Sequence, residues 1–272
     1  MKTIFITGAS SGLGKATAIL FQANGWQVIA TMRNPQHEKE LSVLPNITLL
    51  PLDVTNREQI ETTIQKAIGI AAIDVVFNNA GYGLVGALES YADEQITQQV
   101  ETNLTSVFRV IKKFIPYFKA KRNGLFITTT SVCGFSSNPL SPIYNATKWA
   151  LEGFSESISY DLANFNIGIK TVAPGGIKSN FIGGMQGTVD RDYESLNQEM
   201  GKLFADGTLI EFTAAEKIAE IVYEAATDQK DQLRYLAGND AIRISKQRND
   251  IGNENFRILL RQKLNLSAPT LK

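Results

Sequence analysis

The sequence predicts an α/β protein, a doubly wound parallel sheet with helices on both faces, in a single domain over residues 1–272. Short apolar runs alternate with longer stretches of helical period, as repeated strand–helix–strand units require. Most of the runs lack polar alternation, so both faces of each strand are expected to be covered. A glycine-rich turn over residues 8–14 closes the first run and opens the first helical stretch.

Taken in order, the runs at 4–6, 28–30, 47–50, 75–77, 125–127 and 169–172 read as strands. Helices are expected between and after them at about 12–24, 56–70, 93–122, 142–166 and 213–227. The stretch 93–122 is long, with apolar residues at 100, 104, 107, 108, 111, 114, 115 and 118 forming one helical stripe. Asp93 near its start and Lys119, Lys121 and Arg122 near its end suit the helix dipole. Glycines at 175, 176, 183, 184, 187, 201 and 207 punctuate the next region, and about 176–210 reads as a substrate flap. A strand near 233–236 and a helix over 241–264 follow, the latter within a C-terminal extension of about 240–272. No repeat, low-complexity tract or Pro/Gly linker divides the chain.

Composition removes several chemistries. With 27 basic and 27 acidic residues the formal charge is zero, so no field draws the chain to nucleic acid or an anionic membrane. No apolar stretch is long enough to span a bilayer. The N-terminal apolar run is too short for a signal peptide, so a cytoplasmic location is expected. Cys133 is the only cysteine, which rules out an intramolecular disulfide and a thiolate metal cluster. His37 is the only histidine and lies in the polar run 34–40, a poor setting for a Ser-His-Asp hydrolase or a histidine-based zinc site. No metal is expected.

The turn reads Thr7-Gly8-Ala9-Ser10-Ser11-Gly12-Leu13-Gly14-Lys15, the pattern TGxxxGxG. Its glycines permit positive φ and a close approach of backbone to a pyrophosphate, and the following helix N-terminus supplies amide donors. Alone it would make only a tight turn. Further motifs follow in order: Asp53-Val54 after the third strand, Asn78-Asn79-Ala80-Gly81 after the fourth, and Asn103 within the long helix. Ser131 follows the fifth strand, Tyr144 and Lys148 form YxxxK, and Pro174-Gly175 follows the sixth. Together, across roughly residues 1–180, this set resembles the short-chain dehydrogenase/reductase family. The resemblance implies a Rossmann-type doubly wound fold, a nicotinamide cofactor and hydride-transfer chemistry.

It also implies roles. Gly8, Ser10, Ser11, Gly12, Leu13 and Gly14 would cradle the pyrophosphate. Asp53 would take a hydrogen bond from the adenine amino group, with the Val54 backbone beside it; independently, Asp53 falls in the N-cap region of the helix starting near Asn56. Asn79, Ala80 and Gly81 would let the cofactor ribose approach. Pro174, Gly175, Ile177 and Ser179 resemble the family's PGxxxT, with serine keeping the hydroxyl that bonds the carboxamide. After the second strand the chain reads Thr31-Met32-Arg33-Asn34, with no carboxylate in the turn. Arg33 is placed to pair with a 2′-phosphate, which favours NADP(H) over NAD(H).

Tyr144 and Lys148, four apart, project from one helix face. Hydride transfer to a carbonyl must be matched by protonation of the alkoxide. A free tyrosine, with a pKa of roughly 10, needs a neighbouring cation to act near neutrality. Lys148 supplies it and, by resemblance, holds the nicotinamide ribose. Ser131, thirteen residues upstream of Tyr144, would anchor the substrate oxygen as charge develops. Asn103 would fix a water relaying protons to Lys148; asparagine is unfavourable inside a helix and needs some reason to be there. Cys133 reads as packing.

The expected function is therefore an NADP(H)-dependent oxidoreductase interconverting an alcohol and a carbonyl, with reduction of an aldehyde or ketone favoured. The expected lining, Tyr82 to Val85, 135–140, Phe181, Ile182, Met185 and Leu203, is mostly apolar and suits an apolar substrate. A non-catalytic, NADP(H)-binding redox-sensing regulator is the alternative, opposed by the filling of all four active positions. Epimerases and dehydratases of the family's extended branch tend to carry TGxxGxxG instead. The segments Leu233-Arg234-Tyr235 and Asn239-Asp240-Ala241 loosely resemble hydroxysteroid and retinol dehydrogenases. Family resemblance further implies a homodimer or homotetramer through 93–122 and 142–166.

Overall fold

The computed structural model describes residues 1–179, 181, 183–188 and 190–268. Every expected apolar run is a strand of one seven-stranded sheet, ordered β11-β7-β6-β4-β1-β2-β3 and parallel throughout. The first half is β1 (Thr3–Thr7), α1 (Gly12–Ala23), β2 (Gln27–Met32), β3 (Ile47–Pro51), α2 (Arg57–Ile70) and β4 (Val75–Asn78). A short β5 (Leu84–Val85), α3 (Asp93–Val100) and α4 (Ser106–Lys121) lead to β6 (Gly124–Thr129), α5 (Pro142–Ala163) and β7 (Ile167–Pro174). Then come β8 (Gly176–Lys178), β9 (Gln186–Gly187), α6 (Glu194–Ala205), β10 (Phe212–Ala214), α7 (Ala215–Thr227), β11 (Arg234–Ala237), α8 (Asn239–Ile251) and α9 (Asn253–Lys263).

The strands are apolar on both faces because both are covered. Ile4 and Ile6 pack with Leu13, Phe21, Ile218 and Val222 of α1 and α7, whereas Phe5 between them packs with Ile60, Ile64, Val107 and Phe114 of α2 and α4. Every residue of β1 is buried. Strand order reverses between β1 and β4, and at such a switch point a crevice opens beyond the carboxyl ends of the strands. Both the glycine-rich turn after β1 and the Asn79-Ala80-Gly81 turn after β4 lie at that end.

The structure departs from the expected elements in three places. The helix over 93–122 is not continuous: the segment Glu101–Thr105 between α3 and α4 is a π turn, which widens the ladder around Asn103. The helix over 241–264 breaks at Gly252, whose φ of 78° only glycine adopts freely. Among the described residues of 176–210 there are regular elements. There β9 pairs with β5, β8 pairs with β10, and α6 packs Met200 against Leu209 and Leu264. Asn56, not Asp53, caps α2, accepting from the Gln59 amide at 3.0 Å. Among the described residues no helix is long and apolar enough to cross a membrane.

Candidate active site

The glycine-rich turn and the β4 turn are sewn together by Thr7 and Asn79. Thr7 Oγ1 accepts from the Asn79 and Ala80 amides at 3.0 and 3.1 Å. Asn79 Nδ2 donates back to the Thr7 and Gly8 carbonyls at 3.2 and 3.1 Å. Two glycines are required by the closeness of this seam. A Cβ on Gly8, which also has φ of 69°, would lie 2.8 Å from Ala80 Cα, and one on Gly14 would lie 2.3 Å from the Gly8 oxygen.

Ser11 stands at the N-cap of α1 but makes no side-chain capping bond, and the first turn carries no acid. The leading amides of α1 therefore point at the crevice with their donors and dipole available to an anion, which fits a dinucleotide pyrophosphate. Ser179 closes the mouth from the other side: a Cβ on Gly12 would lie 3.2 Å from Ser179 Cβ.

Arg33 emerges exposed just after β2 and forms no ion pair among the described residues. In the polar run 34–40, Glu38 and Glu40 bind Lys15 at 3.1 and 2.7 Å. Asp53 is half-buried beyond β3, its Oδ1 accepting from the Thr55 amide at 2.9 Å and the Thr55 hydroxyl at 2.7 Å. Val54 beside it is buried.

Ser131, Tyr144 and Lys148 converge where β6 ends against α5. Ser131 is buried; its Oγ accepts from the Cys133 amide at 3.1 Å and donates to the Pro174 carbonyl at 3.5 Å. Lys148 is buried, with Nζ donating to the Thr129 carbonyl at 2.8 Å and standing 5.6 Å from the centre of the Tyr144 ring. Burial pushes Lys148 down from 10.5 to about 8, opposed by Cys133 and Glu152. Burial also holds the Tyr144 phenol well above its usual range, reinforced by Cys133, while the Ser131 hydroxyl works the other way. Desolvation is the largest cause for both groups, and the lysine cation is not among the causes acting on the phenol. Cys133 is likewise pushed up by burial, to about 11.

Asn103 is buried within the π turn, and its amide clamps one peptide: Oδ1 accepts from the Tyr82 amide at 3.1 Å and Nδ2 donates to the Tyr82 carbonyl at 2.8 Å. The side chain is thereby committed to the loop after Gly81. Sequence reasoning missed Glu152, which lies one turn beyond Lys148 on the same face of α5. This buried carboxylate accepts from Thr130 Oγ1 at 2.5 Å, Thr171 Oγ1 at 3.3 Å and Arg234 Nε at 2.9 Å, tying α5 to β7, β11 and the residue just after β6. The spacing 144, 148, 152 was its available signal.

Phe181 of the flap approaches Tyr144, with ring centres 6.2 Å apart, and a Cβ on Gly83 would lie 3.0 Å from the Met185 side chain. Leu203, expected in the lining, instead joins the cluster between α6 and α9. Ile182 lies outside the described residues. A groove of about 690 Å³ opens beside Asn145 between Leu88, Pro139, Trp149, Tyr193 and Leu196, but Tyr144 does not line it. Among the described residues no group of three or more His, Cys, Asp or Glu is arranged to hold a metal.

Comparison with known proteins shows the family. The model of the short chain dehydrogenase family matches residues 2–190. An uncharacterized oxidoreductase of Schizosaccharomyces pombe is 34% identical over 239 residues, covering 86% of this chain and the whole of that protein. The crystal structure of a short-chain dehydrogenase from Streptomyces avermitilis superposes with a TM-score of 0.85 at 26% identity, covering 97% of both chains. The structure of ElxO with NADP bound superposes with a TM-score of 0.72 at 26% identity, covering 86% of this chain and 97% of that one.

Proposed function

This chain belongs to the short-chain dehydrogenase family and is an oxidoreductase, and from that premise we propose that it interconverts an alcohol and a carbonyl with NADP(H), chiefly reducing an apolar aldehyde or ketone. The observation carrying this reading is the convergence of Ser131, Tyr144 and Lys148 at the sheet end where the amides of α1 face the crevice.

Gly8, Ser10, Ser11, Gly12, Leu13 and Gly14 would hold the pyrophosphate, Asp53 and Val54 the adenine, Asn79 to Gly81 the adjoining ribose, and Pro174, Gly175, Ile177 and Ser179 the nicotinamide side. When bound, the nicotinamide supplies or accepts the hydride. Tyr144 gives a proton to the substrate oxygen in reduction and takes it back in oxidation. Its raised phenol pKa keeps the proton in place until charge develops on that oxygen. Ser131 Oγ donates to the same oxygen, exchanging its long bond to the Pro174 carbonyl for a stronger one to a developing alkoxide. Lys148 places a positive charge beside the phenol and holds ribose hydroxyls. Asn103 would serve the proton relay through its backbone, since its amide holds Tyr82. Arg33, exposed and free of a carboxylate partner among the described residues, supports the 2′-phosphate preference. Phe181 and Met185 near Tyr144 and Gly83 support an apolar substrate. The outer faces of α4 and α5 would join copies into a homodimer or homotetramer in the cytoplasm.

The test is NADPH oxidation against a panel of aldehydes, ketones and quinones, with Tyr144→Phe run beside wild type and hits repeated with NADH. Turnover that collapses in the variant while NADPH still binds supports the proton-transfer role. Full activity in Tyr144→Phe refutes it, and faster turnover with NADH refutes the Arg33 reading.

A further inference from the structure

We propose that Asp240, in the C-terminal extension, is a positioning residue that presets the turn 174–179 for the nicotinamide half of the dinucleotide. The inference rests on the dinucleotide reading above and assigns part of that site to a residue outside the family's motifs.

Asp240 has no exposed surface and forms no ion pair among the described residues. Its carboxylate is satisfied by backbone amides alone. Oδ2 accepts from the Gly176 amide at 2.8 Å and from the Glu211 amide at 3.2 Å, while Oδ1 accepts from the Ala241 amide at 2.9 Å. A carboxylate is costly to bury, and three aligned donors offset that cost only while all of them stay in place. The surrounding chain is cut to fit it. A Cβ on Gly175 would lie 2.0 Å from both carboxylate oxygens, and one on Gly238, whose φ is 104°, would lie 2.9 Å from Oδ1.

The two segments it joins are the two strands that shape the nicotinamide side. Gly176 opens β8, Glu211 immediately precedes β10, and these strands pair in register with Gly176 opposite Phe212, Ile177 opposite Thr213 and Lys178 opposite Ala214. Ser179 leaves the end of β8 and meets Gly12 across the crevice. Gly175 is fixed from behind by its N–H, which donates to the Ala237 carbonyl at 3.0 Å. Asp240 thus sets the height at which Ile177 and Ser179 stand over the glycine-rich turn, while touching nothing on the adenosine side.

Asp240→Asn keeps the shape but offers one acceptor oxygen, and turns an NH2 toward an amide donor. The experiment compares binding of NADPH with binding of adenosine 2′,5′-bisphosphate, which carries the adenosine half alone. In Asp240→Asn the NADPH dissociation constant is expected to rise about 10-fold or more, the loss of a charge-assisted bond, with the bisphosphate unchanged within about twofold. Equal weakening of both ligands, or of neither, overturns the inference. Wild-type protein that binds neither of these ligands nor NADH overturns the dinucleotide reading and this inference with it. Should the variant fail to fold, hydrogen exchange on the wild type decides. The Gly176 and Glu211 amides must be strongly protected before any ligand is added; free exchange that slows only with NADPH refutes presetting.

Discussion

Replacing Lys148 by methionine should abolish activity and yet make the protein more stable at neutral pH. Burial lowers Lys148 from 10.5 to about 8, so holding the charged form in the folded protein costs about 3 kcal/mol relative to the unfolded chain. Methionine has similar length and no charge, and it removes that cost. It also leaves the Thr129 carbonyl, now 2.8 Å from Nζ, without its donor, a loss of about 1–2 kcal/mol. The net gain is about 1–2 kcal/mol at pH 7, or roughly 3–6 °C in melting temperature for a chain of this size. The sign with pH follows from where protons bind. Between pH 8 and 10.5 the unfolded chain holds the proton and the folded one does not, so wild-type stability rises with pH through that window. By pH 9 wild type should have recovered about 1 kcal/mol of its deficit, while the methionine variant gains nothing from this site. Thermal unfolding of both proteins at pH 7 and pH 9 measures the two gaps. A variant that melts below wild type at pH 7, or a gap that does not shrink at pH 9, would refute the claim that desolvation governs this lysine.

Gly14→Ala should cost about 2–4 kcal/mol and remove dinucleotide binding, because the new Cβ meets the Gly8 carbonyl at 2.3 Å and Asn79 Nδ2 at 2.5 Å. Urea unfolding and a binding titration check it, and a soluble variant with native affinity would be the contrary result. Burial alone would raise the Asp228 carboxyl, but hydrogen bonds from Lys170 and Tyr235 outweigh it and hold the group at about 2. That depression contributes about 2 kcal/mol above pH 3.8, lost as pH falls toward 2. Asp228→Asn should therefore lower stability at pH 7 and flatten its decline between pH 4 and 2, read from urea midpoints. Cys133, buried with its thiol pushed up to about 11, should stay unreactive toward an aromatic disulfide reagent in native protein at pH 7.5. In urea it should react as one thiol per chain; rapid labelling of native protein would contradict the packing around it.

The sheet was legible because each strand is buried on both faces and so reads as an unbroken apolar run. The glycine-rich turn was legible because contacts as close as those at Gly8 and Gly14 admit no side chain. The π turn at Glu101–Thr105 was hidden, since the apolar stripe at 100, 104 and 107 passes through it without losing period. Gly252 was visible as a glycine, but only the break between α8 and α9 shows that it takes positive φ. In the site, Tyr144 and Lys148 announced themselves by spacing along one helix. Glu152 and Asp240 act through partners 19 to 82 residues away, from Thr171 to Arg234 and from Glu211 to Gly176, and no local pattern encodes such pairings. The sign of the Tyr144 shift also lay beyond the sequence, because it depends on how much water the folded chain excludes.

The strand order has a consequence for the chain as it is synthesised. Strand β4 is interior, flanked by β1 and β6, yet β6 begins some 45 residues after β4 ends. At a translation rate of about 5–20 residues per second, the Val75–Asn78 edge waits roughly 2–9 seconds for its second neighbour. Its backbone donors are then unpaired and its side chains wholly uncharged, the state in which a strand recruits foreign partners. Arg234, which pairs with Glu152, and Ile244 and Phe256, which pack against Val132, Cys133 and Phe135, emerge later still. The half proposed to grip phosphate can therefore form on the ribosome well before the half proposed to do chemistry, and holdase chaperones should find this chain in the interval between them.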